Sequence, residues 1–222
     1  MSTRSGSERG PGLRLTEIFV SLQGESTRIG VPTVFVRLTG CPLRCHWCDT
    51  SYAFEGGTMK TVGEIVDAVS DTGVDTVCVT GGEPLAQAAC LPLLEALCDA
   101  GLSVSLETSG ALDVSAVDPR VARVIDVKPP GSGEVARNRW QNLEQLRPGD
   151  ELKFVVADEN DYLWSRTRID ADHLDRRCTV LMSPVHGRLD PAQLASWILR
   201  DRLPVRMQLQ LHKLIWGDQP GR

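Results

Sequence analysis

From about residue 33 onward the chain alternates short β-type runs with helical patterns, and that rhythm narrows the architecture more than any other feature. Strand-like runs stand at 33–38, 75–79, 102–106, 121–127, 151–156, 179–182 and 205–211. Helical patterns occupy 61–70, 84–100, 137–146, 162–168 and 191–199. In the first of these Val62, Ile65, Val66 and Val69 recur at helical spacing, and Thr61 with Glu64 makes a capping box. Such alternation predicts right-handed βαβ units around a parallel sheet. A complete eight-fold barrel takes about 250 residues. This chain has 222, so the expected fold is α/β, an incomplete TIM-type barrel of about six βα units. No internal repeat or linker divides it. Residues 13–222 read as a single domain, and 1–12 (MSTRSGSERGPG) as a disordered polar tail.

Hydrophobic residues make up 41% and charged residues 24%, as in ordinary soluble domains, and the net charge of −5 argues against a broad nucleic-acid footprint. No run is long enough to span a membrane and no signal peptide is visible. Seven cysteines, three of them crowded together, do not suit a disulfide framework, so a reducing cytoplasmic setting is expected.

The crowded three are Cys41, Cys45 and Cys48, in GCPLRCHWCDT over 40–50. Three thiolates at these gaps suit three irons of a cubane cluster and leave the fourth iron open, whereas four cysteines would close a metal off. A zinc knuckle or redox thiol group is the alternative. Zinc usually takes four ligands, and His46 is cramped between Cys45 and Cys48. Cys78, Cys90, Cys98 and Cys178 fall in apolar runs and read as small core residues.

In a barrel of this kind the site gathers where strands end. There stand Thr80-Gly81-Gly82-Glu83-Pro84, then Glu107-Thr108-Ser109-Gly110, then Asp126-Val127-Lys128. Paired glycines let backbone approach a ligand without Cβ interference. Lys128 on residues alone is balanced between a surface lysine and a site residue. Lys153 reads as structural, and His173 and His186 as surface.

The triad, with Trp47 before its last cysteine, and the Gly-Gly-Glu run resemble the radical S-adenosylmethionine superfamily. Within it, Glu17-Ile-Phe-Val-Ser-Leu-Gln-Gly-Glu25, the run 30–37 and Cys48-Asp49-Thr50 are similar to the 7-carboxy-7-deazaguanine synthase family. The resemblance spans about 15–212. It implies conversion of 6-carboxytetrahydropterin to 7-carboxy-7-deazaguanine by radical ring contraction with loss of ammonia, begun by hydrogen abstraction at C6, in queuosine or related 7-deazapurine synthesis. It implies a 4Fe-4S cluster on Cys41, Cys45 and Cys48, S-adenosylmethionine, and magnesium at Thr50. Cofactor contacts are expected from Trp47, Cys48, Asp49, Gly81, Gly82, Glu83, Ser109, Asp126, Val127 and Lys128. For the substrate, Leu22, Gln23, Gly24 and Glu25 suit a guanine-like edge, Arg37 suits its carboxylate by a planar fork of donors, and Thr80 and His212 complete the set. The alternative for Arg37 is a buried ion pair. His212 is expected on the polar face of the 205–211 strand.

Two residues depart from the family pattern. Ser26 stands where a glycine is frequent, and Ser183 where many relatives carry glutamine before a proline. The residues after His212 run on, with no placed role. An electron donor such as flavodoxin or ferredoxin is implied, and a homodimer is expected. A glycyl-radical activase shares the triad, and a non-catalytic cluster- or zinc-binding protein is the reading from another class. Leu22–Glu25 and Arg37 favour a small polar substrate over the activase, and metal analysis, about four irons per chain against zinc, separates the binding protein.

Overall fold

Two strands that the alternation did not mark form one edge of the sheet. The computed structural model describes residues 12–217, Gln219 and Gly221. In it β1 (Gly12–Leu22) pairs antiparallel with both β2 (Pro32–Leu38) and β3 (Thr58–Thr61). Thr16, Glu17 and Ser21 interrupt the apolar character of β1, so its strand state comes from pairing on both sides rather than from a hydrophobic run. Gly12 is therefore the first residue of β1 and not the end of a disordered tail, and the rest of that expectation lies outside the described residues.

From β2 the sheet runs parallel through β4 (Thr76–Gly81), β5 (Ser103–Thr108), β6 (Ala122–Val127), β7 (Glu151–Val156), β8 (Thr179–Pro184) and the short β9 (Arg206–Met207). The order β3-β1-β2-β4-β5-β6-β7-β8-β9 is open, a partial barrel rather than a closed one. The connections carry α1 (Val62–Ser70), α2 (Cys90–Asp99), α3 (Glu159–Ala171) and α4 (Pro191–Asp201), and α5 (Leu211–Trp216) is the last helix among the described residues. Thr61 and Glu64 do form the capping box that starts α1. Among the described residues no helix is long and apolar enough to cross a membrane.

Three expectations need correction. The pattern over 84–100 is not one helix: a 3-10 turn at Pro84–Ala86 precedes α2, because the Gln87 side chain bonds Arg14 and Thr39 and its backbone is extended. Residues 137–146 form 3-10 turns, at Val135–Arg137 and Trp140–Gln145, not an α-helix. The strand over 205–211 shrinks to β9. Gln208 N donates to Met182 O and Leu211 N to Gly24 O, so the chain leaves the sheet and His212 lies in α5.

Strand parity divides the sheet into two faces. Val34, Val36 and Leu38, Val77 and Val79, Val104 and Leu106, Ile125 and Val127, and Leu152, Phe154 and Val156 join one apolar core. The helices add Ile65, Leu94, Leu97, Ile169 and Leu194 to it. Cys78, Cys90 and Cys178 are buried as expected, while Cys98 is half-buried against the core. The residues of opposite parity, including Arg37, Thr80, Glu107, Asp126 and Lys153, face a cavity.

Candidate active site

The cavity has a volume of ≈ 990 Å³. Every residue read from the sequence as a substrate contact lines it, as do Thr50 and the three crowded cysteines. Of the expected cofactor contacts, Glu83 and Val127 are not in its wall. Val127 has core parity, so only its backbone is available to a ligand. Glu83 is fully buried behind the wall.

The cysteine loop hangs from β2 and is tied down by backbone. Gly40 N donates to Ala53 O (2.8 Å), Glu83 N to Gly40 O (2.8 Å) and His46 N to Ser132 O (3.0 Å). His46 Nδ1 lies 3.0 Å from Gly131 O, occupied with that neighbouring turn. The three cysteines are unpaired and half-buried. Burial pushes the Cys45 thiol up to about 11 and raises Cys41 as well, so a metal centre must displace protons to bind there. Among the described residues no three His, Cys, Asp or Glu side chains converge to hold a single ion. A cubane with one thiolate per iron does not require that convergence.

The glycine pair sits where β4 meets this loop. A Cβ on Gly81, whose φ is +137°, would stand 2.1 Å from Leu38 O, and one on Gly82 would stand 2.1 Å from Gly40 O. Next along the chain, the Glu83 carboxylate accepts from Ser109 N (2.7 Å), Thr108 Oγ1 (2.9 Å) and Leu85 N (3.0 Å), and also bonds Ser109 Oγ. It thereby clamps the end of β5 to the end of β4.

On the other side lies the loop after β1. Glu25 is bonded by Lys153 Nζ (2.6 Å) and Gln210 Nε2 (2.7 Å), and Gln210 also reaches Asp49 (3.2 Å). Burial works to raise the Glu25 carboxyl, but the Lys153 charge and the hydrogen bonds outweigh it and bring it to about 2. Lys153, which reads as structural from the sequence, lies in the cavity wall. The signal was available: in 151–156 Leu152, Phe154 and Val156 share the core face, which turns Lys153 to the other. Glu107 also lines the cavity. It accepts from Thr80 Oγ1 (3.0 Å) and Gln23 Nε2 (3.3 Å) and so orients both. Asp126 accepts from Lys128 Nζ (2.8 Å), and Lys128 lines the cavity.

Arg37 makes the ion pair that was the alternative reading, its Nε bonding Glu17 Oε1 (2.8 Å), and it also lines the cavity. His212 packs against Gly24, and burial lowers its imidazole below the usual value. A Cβ on Gly24 would fall 2.1 Å from His212 Nδ1. Gly24→Ala is therefore expected to displace His212 and raise the substrate KM by about tenfold, with the thermal midpoint little changed; steady-state kinetics beside a melting curve checks this.

Ser26 adopts φ +67°, the backbone conformation that favours glycine, and keeps it with local help. Its hydroxyl accepts from Arg28 N (3.0 Å) and its N–H donates to Gln208 Oε1 (2.8 Å). Gln208 in turn donates to Ser183 Oγ (3.4 Å), so the two departures from the family pattern meet at one buried amide.

Comparison with known proteins agrees with this geometry. The Radical SAM superfamily model matches residues 35–126, from β2 to the aspartate of β6. The 7-carboxy-7-deazaguanine synthase of Chlorobaculum tepidum is 50% identical over 208 residues, which cover 92% of this chain and 94% of that protein. The enzyme of the same name from Koribacter versatilis is 42% identical, covering 93% and 98%. The chain belongs to the 7-carboxy-7-deazaguanine synthase family. The crystal structure of QueE from Escherichia coli, 24% identical, superposes with a TM-score of 0.72 over 89% of this chain and 94% of that one, which shows the shared fold. As a radical S-adenosylmethionine enzyme, a member of this family uses a 4Fe-4S cluster and S-adenosylmethionine, and its partners are a small-molecule substrate and a reductant.

Proposed function

We propose that the cavity converts 6-carboxytetrahydropterin to 7-carboxy-7-deazaguanine for queuosine or related 7-deazapurine synthesis. The observation that carries this reading is a single cavity lined by Cys41, Cys45 and Cys48 together with Gln23–Glu25, Arg37 and His212. The residues fit the groups the family uses. The thiols are free of disulfides, the missing Cβ of Gly82 lets its backbone pack directly against the cysteine loop, and the buried Asp126 Oδ1 has no hydrogen-bond partner of its own among the described residues. When bound, the cluster and S-adenosylmethionine supply the radical chemistry. Cys41, Cys45 and Cys48 hold the former, and the backbone of Gly81 and Gly82, with Ser109, Asp126 and Lys128, holds the latter.

Gln23 and Glu25 read the amide-and-amine edge of the pterin, and the Arg37 guanidinium meets its carboxylate, with Glu17 holding that side chain in register. Thr80 and His212 close the remaining sides. Thr50 and Asp49 face the cavity as hard oxygen donors suited to magnesium. A flavodoxin- or ferredoxin-type donor, a cytoplasmic setting and a homodimer complete the reading, and exposed Leu199, Leu214 and Ile215 support a partner surface. Residues 13–222 act as one catalytic domain, supported by the single sheet and core.

Anaerobic turnover of the reconstituted, reduced protein tests this, with S-adenosylmethionine, magnesium and 6-carboxytetrahydropterin, read by mass spectrometry. Formation of 7-carboxy-7-deazaguanine is expected. Release of 5′-deoxyadenosine without that product would reject the substrate and retain the chemistry.

A further inference from the structure

We propose that Lys153 is a specificity-determining positioning residue: it holds Glu25 as a fixed, acceptor-only carboxylate, so that the cavity selects a substrate edge made of N–H donors. This rests on the reading that Glu25 meets the pterin edge.

The geometry begins in the sheet. Lys153 stands in register with Asp126 on neighbouring β7 and β6, both turned into the cavity. Its Nζ lies 2.6 Å from Glu25 Oε2 and 3.7 Å from Asp126 Oδ2. Asp126 is shared with Lys128 at 2.8 Å, so a chain of four charged groups links the loop after β1 to the end of β6. The Lys153 and Glu25 side chains are only 11% and 12% exposed, so water screens their interaction little.

A buried ion pair is weak support for stability, because apolar residues of similar volume do as well. Its effect on protonation is larger. A carboxylate offers about four acceptor sites, and Glu25 gives one oxygen to Lys153 and the other to Gln210. The remaining sites can receive N–H groups of a ligand. Were Glu25 protonated, one oxygen would become a donor and oppose that edge.

Other charges around Glu25 do not do the same work. Asp126 from β6, Glu107 from β5 and Asp49 from the cysteine loop are acidic and favour its protonation. His212 of α5, followed by Lys213, is depressed by burial, so its opposing influence fades at neutral pH. Among the described residues, the cation bonded to Glu25 is Lys153.

The test compares Lys153→Met, Lys153→Arg, Glu25→Gln and the double variant Glu25→Gln/Lys153→Met in the reconstituted holoenzyme, with 6-carboxytetrahydropterin between pH 6 and 8.5. Lys153→Met should raise KM about tenfold or more at pH 7, the value expected for weakening a hydrogen bond to a charged group. The rise should be greater at pH 6 than at 8.5, because burial of Glu25 is then opposed mainly by the Gln210 hydrogen bond and the weaker influence of His212, and its carboxyl takes up a proton more readily as pH falls. Lys153→Arg should restore most of the affinity. The double variant should be no worse than Glu25→Gln alone, because the lysine acts through that carboxylate. It also removes both charges together, so it can be measured even where Lys153→Met is too unstable to purify. Additive losses in the double variant, or an unchanged KM in Lys153→Met, would overturn the assignment while leaving the substrate intact. Wild-type enzyme that does not turn over this pterin would instead defeat the substrate reading, and this inference with it.

Discussion

Gly82→Ala is expected to leave a folded protein that holds less than one cluster per chain and forms product at least about 100-fold more slowly. The added Cβ would lie 2.1 Å from Gly40 O, 2.5 Å from Gly40 C and 2.9 Å from Cys41 Cβ. Two of these are backbone atoms of the cysteine loop, so no rotamer change relieves the contact. The loop cannot simply slide away, because Gly40 is held by Ala53 on one side and by the Glu83 amide on the other. The strain falls on the position of Cys41. Displacing a reacting group by about 1 Å can cost about 100-fold in rate. Iron analysis, 5′-deoxyadenosine release and circular dichroism together check the prediction. Normal iron content with normal cofactor cleavage would mean that the loop yields more easily than its hydrogen bonds imply. Gly63, on the exposed first turn of α1 with open space around its Cβ position, is the control: Gly63→Ala should leave both readouts unchanged.

The two glycines illustrate what sequence could reveal. The Gly-Gly-Glu run stood out because it follows an apolar strand, and strand parity then predicts which neighbours reach the cavity. The same rule, applied evenly, places Lys153 beside Asp126 and separates Val127 from both. It was obscured at Lys153 because a lone lysine in an apolar run has no local partner: Glu25 lies far away in the chain and is brought in only by the sheet. His212 shows the opposite case. Its alternating run favours a strand, but the buried amide of Gln208 and the bond from Leu211 N to Gly24 O draw the backbone away from β8, so His212 reaches the cavity from a helix. β1 lacks a strand signature for a related reason, since pairing on both sides stabilises a strand whose own residues are mixed. Local patterns fixed the parallel core, and long-range hydrogen bonds decided the rest.

Glu83 is where local resemblance and geometry part most clearly, and Glu83→Ala should be the most destabilising single change in this site. The carboxylate is fully buried and accepts from two backbone amides, Ser109 N and Leu85 N, as well as from the Thr108 and Ser109 hydroxyls. Truncation strands those donors without an acceptor, at about 1–3 kcal/mol for each that stays dry. A net loss of about 3–5 kcal/mol follows once water and relaxation offset part of the sum. In a protein of this length that lowers the thermal midpoint by roughly 10 °C. Glu83→Gln preserves the shape but not the chemistry. Its amide group must face Leu85 N–H if it takes the Oε1 position or Ser109 N–H if it takes Oε2, and a backbone donor cannot turn aside as a hydroxyl can. Its cost should be smaller, about 1–3 kcal/mol. The order wild type, glutamine, alanine in midpoint is thus expected, with cofactor affinity falling only as far as the β4 and β5 ends separate. Two variants as stable as wild type, each with weakened S-adenosylmethionine binding, would show instead that Glu83 contacts the cofactor directly and that the clamp between the strands is incidental.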